Sequence, residues 1–268
     1  MSIAVSDVSF SYGERLVLDS INVTATEGQL LSVVGPNGVG KSTLFYCILG
    51  LLNGFKGWIT LNGHDTRELG IKEMARLVAY IPQSHYPSFN FSVFDMVLMG
   101  TSHQVSSVSV PGKKQAALVE SALDRLGIAH LRDRGYTQIS GGERQLVLVA
   151  RALVQQTRIL ILDEPTANLD FGNQIRVLTQ IRSLAQEGYT IIQSTHNPEQ
   201  TFMFSDRVLA LYNGRVLASG APSDIVTEEL MRKLYGVDIK VQSLFQDKVR
   251  VCVPTVVVED NHHESRFE

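Results

Sequence analysis

The sequence predicts an α/β fold built around a parallel sheet that helices cover on both faces. Apolar runs at residues 30–34 and 158–162 are typical of strands buried in such a sheet. Segments with helical spacing alternate with these runs, and residues 143–154, with apolar side chains at Leu146, Val149 and Leu153, are one of them. We therefore expect strands and crossover helices to alternate along much of the chain.

The first third of the chain is predicted to be rich in strands. Residues 3–10 and 16–23 are β-rich and flank a turn at Tyr12-Gly13-Glu14. The run at 30–34 ends in a glycine-rich loop, and residues 41–52 after it are predicted to be helical. Residues 58–61 form a further strand that the turn Asn62-Gly63 closes.

A helical insert then interrupts the α/β pattern over residues 84–145. Helical spacing at 93–99 and 114–126 flanks a polar, serine-rich stretch at 101–112, which we expect to be a loop. The α/β pattern resumes with helices at 143–154 and 173–185 and strands at 158–162, 189–194, 208–212 and 215–218. Asn213-Gly214 between the last two strands is a strong hairpin signal.

Composition and charge exclude several classes of protein. Hydrophobic residues are 44% and charged residues 19% of the 268, which excludes a disordered chain. A net charge of −3 gives no bulk reason to bind nucleic acid, and two cysteines, Cys47 and Cys252, are too few for a disulfide framework. The N-terminus lacks a signal-peptide pattern, and no apolar run approaches the roughly 20 residues of a membrane span. We expect a cytosolic chain that reaches a membrane only through a partner.

Residues 35–42 fit the phosphate-loop pattern G-x-x-x-x-G-K-[ST], with an apolar strand before and a helix after. Glycines let backbone N–H groups turn around an anion, Lys41 adds a positive charge beside the β and γ phosphates, and the Ser42 hydroxyl can ligate Mg²⁺. The alternative is a chance match. The predicted nucleotide-binding residues here are Gly35, Pro36, Asn37, Gly38, Val39, Gly40, Lys41, Ser42 and Thr43.

Two carboxylates follow the apolar strand at 158–162. Asp163 and Glu164 would lie at its C-terminal end, where ligands of α/β sheets bind. We expect Asp163 to hold the Mg²⁺ shell and Glu164 to position or deprotonate the attacking water. The alternative is an exposed Asp-Glu pair without a role.

Five further segments resemble motifs of the ATP-binding cassette (ABC) ATPases and follow the family's order. Residues 139–145 (ISGGERQ) resemble the LSGGQ signature, and residues 80–83 (YIPQ) resemble the Q-loop. Residues 167–170 (ANLD) are similar to the D-loop, Thr195-His196 to the switch histidine, and Tyr12 to the adenine-stacking aromatic. The resemblance covers roughly residues 1–220. It implies the P-loop NTPase fold of an ABC ATPase, with a RecA-like core, an N-terminal antiparallel β subdomain and an inserted helical subdomain.

The resemblance also implies a role for individual residues. Tyr12 would stack on adenine, Gln83 would contact Mg²⁺ or the attacking water, and His196 would contact the γ-phosphate. Each has a structural alternative: a turn aromatic, a strand cap and a surface histidine. The predicted catalytic residues are Glu164, His196, Lys41 and Gln83, and the predicted Mg²⁺ ligands are Ser42, Gln83 and Asp163.

In this family the signature of one subunit contacts ATP held by the phosphate loop of another. The resemblance therefore implies a homodimer that binds two ATP molecules, each touched by the partner's Ser140, Gly141, Gly142 and Glu143. Two positions depart from the commonest pattern. Glu143 stands where Gln is usual and would add a negative charge near phosphate, and Asn168 replaces the more frequent Ser or Ala. We expect both to tune the activity and not to abolish it.

Weaker sequence similarities, outside the catalytic motifs, favour one class of ABC protein. Residues 92–100, 217–226 and 230–237 resemble the ATPases of importers for iron–siderophore, haem, cobalamin and related metal chelates. This class implies an integral membrane permease, indirectly a substrate-binding protein, and a place at the cytoplasmic face of the cell membrane. Alternatives are an ABC ATPase for another solute, a soluble ABC ATPase of iron–sulfur assembly or DNA repair, and a binding module without turnover, which Glu164 disfavours.

We divide the chain into an ABC ATPase domain at 1–237, with 84–145 inserted in it, and a C-terminal extension at 238–268 whose tail is frayed. Tyr86, Phe89 and Phe91 in the loop after Gln83 would form part of a groove for a short permease helix, or else pack inside the insert. We expect Cys47 to fill the core and His262-His263 to be solvated and not to bind a metal.

Overall fold

The computed structural model describes residues 2–83, 89–104, 110–246 and 249–256. The strands in these residues are β1 (Ile3–Tyr12), β2 (Arg15–Ala25), β3 (Leu30–Val34), β4 (Lys56–Leu61), β5 (His64–Asp65), β6 (Val78–Ile81), β7 (Ile159–Leu162), β8 (Thr190–Thr195), β9 (Arg207–Tyr212), β10 (Arg215–Gly220), β11 (Ile239–Leu244) and β12 (Val249–Pro254). The helices are α1 (Lys41–Ile48), α2 (Ile71–Leu77), α3 (Val93–Leu98), α4 (Lys113–Arg125), α5 (Gly141–Leu153), α6 (Phe171–Gln186), α7 (Pro198–Phe204), α8 (Pro222–Ile225) and α9 (Glu228–Tyr235).

A six-stranded sheet with the order β10-β9-β3-β8-β7-β6 forms the centre of the fold. Neighbouring strands from β9 to β6 are parallel, and β10 pairs antiparallel with β9. The register places Val34 beside Thr195 and Ile81 beside Leu162. Because parallel strands end at one edge of the sheet, the segments that follow β3, β6, β7 and β8 meet there.

A four-stranded sheet with the order β2-β1-β4-β5 precedes and covers this core. Its pairs are antiparallel, as expected for the N-terminal subdomain. Ile3, Leu18 and Ile59 from this sheet are fully buried in one cluster with Phe45 of α1 and Ile161 of β7. Cys47 belongs to the same cluster, where burial raises the pKa of its thiol to about 12. It is therefore a core residue, as expected.

The second core cluster joins the helical insert to the other face of the parallel sheet. It contains Val97 of α3, Leu123 of α4 and Val149 of α5 together with Leu160 of β7. The helices predicted at 93–99 and 114–126 are thus present as α3 and α4. Three short 3-10 helices complete the described part of the insert, at Met99–Gln104, Ala129–Leu131 and Tyr136–Gln138.

Two sequence-based predictions of local structure were wrong. Residues 101–104 are not a loose loop: Thr101 is fully buried and its hydroxyl donates to the carbonyl oxygen of Leu98 at 2.8 Å. The helix predicted at 41–52 ends at Ile48, because Gly50 adopts a φ of 65° and its N–H bonds the carbonyl oxygen of Cys47. The remaining boundaries differ by a few residues at most.

The C-terminal part of the chain packs against β3 and β9. Leu230, Met231 and Leu234 of α9 are buried with Val34 and Ala210. Beyond α9, β11 and β12 form an antiparallel hairpin, and β12 contacts α7. The predicted frayed tail at 259–268 and His262-His263 lie outside the described residues.

Candidate functional site

A glycine-rich loop joins β3 to α1 at the carboxyl edge of the parallel sheet. Gly35 has a φ of 154°, and a Cβ there would lie 2.3 Å from the carbonyl oxygen of Leu211. Because that oxygen belongs to the backbone of β9, no other residue fits at position 35 without moving a strand. The loop therefore stays close to the sheet, and α1 begins at Lys41 with its N-terminal amide groups available to an anion.

Lys41 places a buried ammonium inside this loop. The side chain is 6% exposed, and Nζ donates to the carbonyl oxygens of Gly35 at 2.8 Å and Pro36 at 3.1 Å. The same Nζ lies 3.7 Å from Oε1 of Glu164. Burial lowers the pKa of Lys41, and the negative charges of Glu164 and Asp163 oppose that shift. A buried cation is stable only beside anionic groups, so the position favours a phosphate ligand.

Two side chains, each following a strand that neighbours β7, contact the carboxylate of Glu164. Nε2 of Gln83, after β6, donates to Oε2 of Glu164 at 3.0 Å, and Nδ1 of His196, after β8, lies 3.4 Å from the same oxygen. The backbone of Glu164 has a φ of 45°, a conformation that costs free energy in a residue other than glycine. Such strain is typical of functional positions, and here it turns the carboxylate toward Lys41, Gln83 and His196.

Ser194 connects the carboxylate of Asp163 to the backbone of Glu164. Its hydroxyl donates to Oδ1 of Asp163 at 2.6 Å and accepts from the backbone N–H of Glu164 at 2.8 Å. The sequence reasoning missed this residue. A signal was present, because Ser194 is a polar residue in a strand predicted to be buried, and such residues need partners.

Three segments at this edge of the sheet offer oxygen ligands for a hard cation. They are the hydroxyl of Ser42 in the first turn of α1, the amide of Gln83 and the buried carboxylate of Asp163. This donor set fits Mg²⁺, which uses one or two protein carboxylates and completes its shell with water and phosphate oxygens. Consistent with that, the described residues contain no group of three or more His, Cys, Asp or Glu side chains that could hold a metal alone.

Tyr12 lies at the end of β1 and leaves much of its ring accessible. The side chain is 50% exposed, and its ring meets Phe10 edge-on with centroids 4.9 Å apart. An edge-on contact fixes the ring and leaves a face open, which suits stacking on a base. The proposed role of Tyr12 therefore rests on its exposure and on the orientation of its ring.

The signature segment begins α5 and is held by a capping box. The Ser140 hydroxyl accepts from the N–H of Glu143 at 3.3 Å, and the Ser140 N–H donates to Oε2 of Glu143 at 2.7 Å. A Cβ at Gly142 would lie 2.4 Å from Oδ1 of Asn173, so α5 and α6 approach closely here. Leu169, in the D-loop segment, is the nearest neighbour of position 141. The D-loop and signature segments are therefore adjacent.

The phosphate loop and the signature segment belong to different core clusters of this chain. The buried side chains of α1 pack beneath the antiparallel sheet, whereas those of α5 pack in the helical insert. Among the described residues, no hydrogen bond or ion pair joins residues 35–43 to residues 140–143. The structure thus groups Lys41, Gln83, Asp163, Glu164 and His196, and leaves the signature residues on a separate surface.

A cavity of about 790 Å³ opens between the insert and the core. Exposed apolar residues Leu51, Ile71 and Met99 contribute to its lining. Its lining includes Arg67, His103 and Arg151 and no Asp or Glu.

This cavity lies elsewhere than the groove predicted from the aromatics after Gln83. Phe91 packs against the core of the insert, as the alternative reading held, and Phe89 is 71% exposed. Neither lines the cavity, and the backbone N–H of Tyr136 donates to the carbonyl oxygen of Phe91, which holds this segment against the insert. Tyr86, the third residue of that prediction, lies outside the described residues. In the part of the chain that the structure describes, no helix is both long and apolar enough to cross a bilayer.

Comparisons with known proteins agree with these motifs. Residues 18–167 match the model of the family described as ABC transporter. An ABC transporter ATP-binding protein of Haemophilus influenzae, itself uncharacterised, is 40% identical over 235 residues, 88% of this chain and 89% of that protein. The hemin import ATP-binding protein HmuV of Bordetella avium is 38% identical over 90% of this chain and 94% of its own length.

A solved structure extends the similarity to the whole fold. It is described as a metal-chelate type ABC transporter in an inward-facing conformation, and its matched chain is 29% identical with a TM-score of 0.84. The match covers 96% of this chain and 99% of that one. The expected fold class is therefore confirmed.

Proposed function

Because this chain belongs to the ABC transporter family, we propose that it is the ATPase subunit of a membrane importer that takes up a metal chelate. The observation that carries the enzymatic part is the meeting of Lys41, Gln83 and His196 at one carboxylate, Glu164. The hemin importer and metal-chelate transporter among its relatives support the class of solute. Iron–siderophore, haem and cobalamin are the members of that class that we propose.

ATP is the proposed substrate, and the phosphate loop is its binding element. The buried ammonium of Lys41 and the amides at the start of α1 provide positive charge for the β and γ phosphates. The open face of Tyr12 provides the stacking surface for adenine. Ser42, Gln83 and Asp163 are the proposed Mg²⁺ ligands, and Mg²⁺ bound there would neutralise charge on the phosphate oxygens.

Glu164 is the proposed general base for the attacking water. Gln83 and His196 approach one oxygen of its carboxylate, and Ser194 accepts a hydrogen bond from its backbone N–H, so both the carboxylate and the backbone of Glu164 are held in place. A base fixed in this way can accept a proton from water without first reorganising. His196 is 59% exposed and is placed to contact the γ-phosphate as well.

A homodimer would complete the site. Ser140, Gly141 and Gly142 offer a hydroxyl and backbone N–H groups at the start of α5, but they lie on a surface separate from the phosphate loop. A second copy related by a two-fold axis can bring these groups to the nucleotide. We infer that two such composite sites form and that ATP binding closes the dimer.

Glu143 fits this arrangement without placing its charge on phosphate. Its carboxylate accepts from the backbone N–H of Ser140, and hydrogen bonds with Ser140 hold the pKa of Glu143 below its ordinary value. The negative charge therefore serves the cap of α5, where it also interacts favourably with the helix dipole. We expect Glu143 to be compatible with turnover.

The permease would bind in the cavity between the insert and the core. The exposed apolar side chains Leu51, Ile71 and Met99 give it the character of a protein-binding groove. We infer that the permease segment is a short amphipathic helix whose apolar face packs there. This contact would hold the subunit at the cytoplasmic face of the cell membrane, and an external substrate-binding protein would act through the permease.

A co-purification experiment tests the function. The full chain is expressed with its neighbouring genes and captured from detergent extract, and ATPase activity is measured with and without metal chelate. We expect a many-span membrane protein to co-purify and the complex to hydrolyse ATP. Capture of assembly factors or nucleic acid without a membrane protein would support a soluble ABC ATPase instead.

A further inference from the structure

A series of buried hydrogen bonds runs from the end of β8 into helix α7. The backbone N–H of Asn197, the residue after His196, donates to the hydroxyl oxygen of Thr195 at 3.1 Å. That hydroxyl donates to Oε1 of Gln200 at 3.3 Å, and the hydroxyl of Thr166 donates to the same oxygen at 3.3 Å. Each of these three side chains is at most 7% exposed, so their polar groups depend on one another for hydrogen bonds.

The same series continues from α7 to the D-loop segment that precedes α6. Nε2 of Gln200 donates to Oε1 of Gln174 at 3.1 Å. Nε2 of Gln174 in turn donates to the carbonyl oxygen of Leu169, in the D-loop segment, at 3.0 Å. A Cβ at Gly141 would lie 3.3 Å from the side chain of Leu169, so the D-loop segment packs beside the signature segment. The hydrogen bonds therefore reach from the residue next to His196 to the surface that carries the signature.

One acceptor fixes the orientation of both glutamine amides. A carbonyl oxygen can only accept, so the Gln174 amide turns its NH2 group toward Leu169 and its oxygen toward Gln200. Gln200 must then donate to that oxygen, which leaves its own oxygen to accept from the two threonine hydroxyls. Flipping either amide would place two donors or two acceptors face to face. Hydrogen bonds that are aligned in this way polarise and strengthen one another, so a change at one end is felt at the other.

We propose that Gln200 and Gln174 are positioning residues that couple the switch segment Thr195-His196 of each chain to its own D-loop segment. We call the hydrogen-bonded series from Thr195 through Gln200 and Gln174 to Leu169 the glutamine relay. The inference rests on the proposed ATPase function, in which His196 serves the chain's own ATP and the signature segment serves the partner's ATP. A shift of His196 at one site would move the D-loop segment beside the signature that completes the other site. The relay thus links the two ATP sites through the interior of each chain.

Hydrogen exchange tests the coupling in the full chain without nucleotide. Gln174→Met keeps the bulk of a half-buried side chain and removes its donor and its acceptor. We expect amide exchange to become about fivefold faster, the effect of one lost hydrogen bond, at residues 167–170 and also at 195–197, which the relay reaches through Gln200. Gln180→Met is the matched control, because Gln180 is half-buried on the same helix outside the relay, and it should change neither segment. Faster exchange confined to residues 167–170 would overturn the proposal.

Steady-state kinetics tests whether the relay matters for hydrolysis. Gln174→Met should lower kcat about fivefold with the KM for ATP unchanged, and the Hill coefficient for ATP should fall toward unity. Adding Gln200→Met should cause little further loss, since the relay is already broken. Gln174→Met carries the test by itself if the variant of the more deeply buried Gln200 does not fold.

A role in packing alone predicts a lower Tm with kcat and the Hill coefficient unchanged, and that result, or fully additive losses of kcat in the double variant, would overturn the proposal. Absence of hydrolysis by the unmodified chain would overturn the proposed function instead, and the exchange experiment would then decide whether the relay couples the two segments.

Discussion

Nε2 of Gln83 donates a 3.0 Å hydrogen bond to Oε2 of Glu164, so the ends of β6 and β7 meet at one carboxylate. Gln83 is also the residue that leads from β6 toward the helical insert. A shift of the insert relative to the core would therefore move a side chain that donates a hydrogen bond to the proposed base, Glu164. This contact gives a physical route by which a partner bound beside the insert could control hydrolysis.

Glu164→Gln should abolish turnover and preserve nucleotide binding. The amide keeps the size of the side chain but cannot accept a proton, so we expect the rate to fall by about 10²- to 10⁴-fold. Steady-state ATPase assays and nucleotide titration measure the two effects. Glu120→Gln is the control, because Glu120 is an exposed partner of Arg132 far from the site. Full turnover by Glu164→Gln would rule out its role as the base.

Gly35→Ala should lower the stability of the protein more than Gly54→Ala does. The added methyl would lie 2.3 Å from a backbone oxygen of β9, whereas at Gly54, with a φ of 83°, it would meet nothing within 4 Å. Gly54→Ala thus carries only the conformational cost, of about 1 kcal/mol, while Gly35→Ala adds the clash. Thermal unfolding and ATP affinity are the measurements. Equal Tm values for the two variants would contradict the geometry at Gly35.

Glu143→Gln should lower stability slightly at neutral pH and leave ATPase activity largely intact. The pKa of Glu143 is depressed in the folded state, so its contribution is present above the unfolded-state pKa of 4.5 and is lost as pH falls through the lower folded-state value. The difference in free energy of unfolding between the two proteins should therefore be largest at neutral pH and shrink as the pH falls below 4.5. A difference independent of pH would show that the carboxylate charge does not contribute to the cap.

Ile71→Asp should weaken capture of the permease without lowering the activity of the isolated subunit. Ile71 is 91% exposed and lines the cavity between the insert and the core. A carboxylate there would oppose burial of the apolar face of a permease helix. Val110→Asp is the control, because Val110 is 87% exposed and does not line the cavity. Co-purification yield distinguishes them, and equal yields would place the permease elsewhere.

Much of the site could be predicted from the sequence because it depends on local patterns. Lys41, Asp163 and His196 each follow a buried strand, and parallel strands bring their ends together whatever their order. The contact of Ser194 with Asp163 depends on β8 lying next to β7, which periodicity does not specify. Contacts that depend on the order of strands in the sheet cannot be predicted from sequence periodicity alone.

The cavity between the insert and the core, and the packing of helix α9, show the same limit over longer separations in the sequence. The cavity is lined by segments near residues 50, 70, 100 and 151, and no local signal marks them as neighbours. Leu230 and Leu234 of α9 pack with Val34 of β3, although the two segments lie far apart in the sequence. By contrast, the aromatics after Gln83 formed a visible cluster in the sequence, yet Phe91 is part of the core.

Mixing two inactive variants measures most directly whether the active site is shared between two copies. Lys41→Ala damages only the phosphate loop, and Gly141→Asp damages only the signature segment, so each variant alone should lack ATPase activity. In a mixed dimer one site combines the intact loop of one chain with the intact signature of the other. An equimolar mixture should therefore recover about a quarter of the unmodified activity, since about half the dimers are mixed and each holds one intact site. No recovery at any ratio would contradict a site built from two chains.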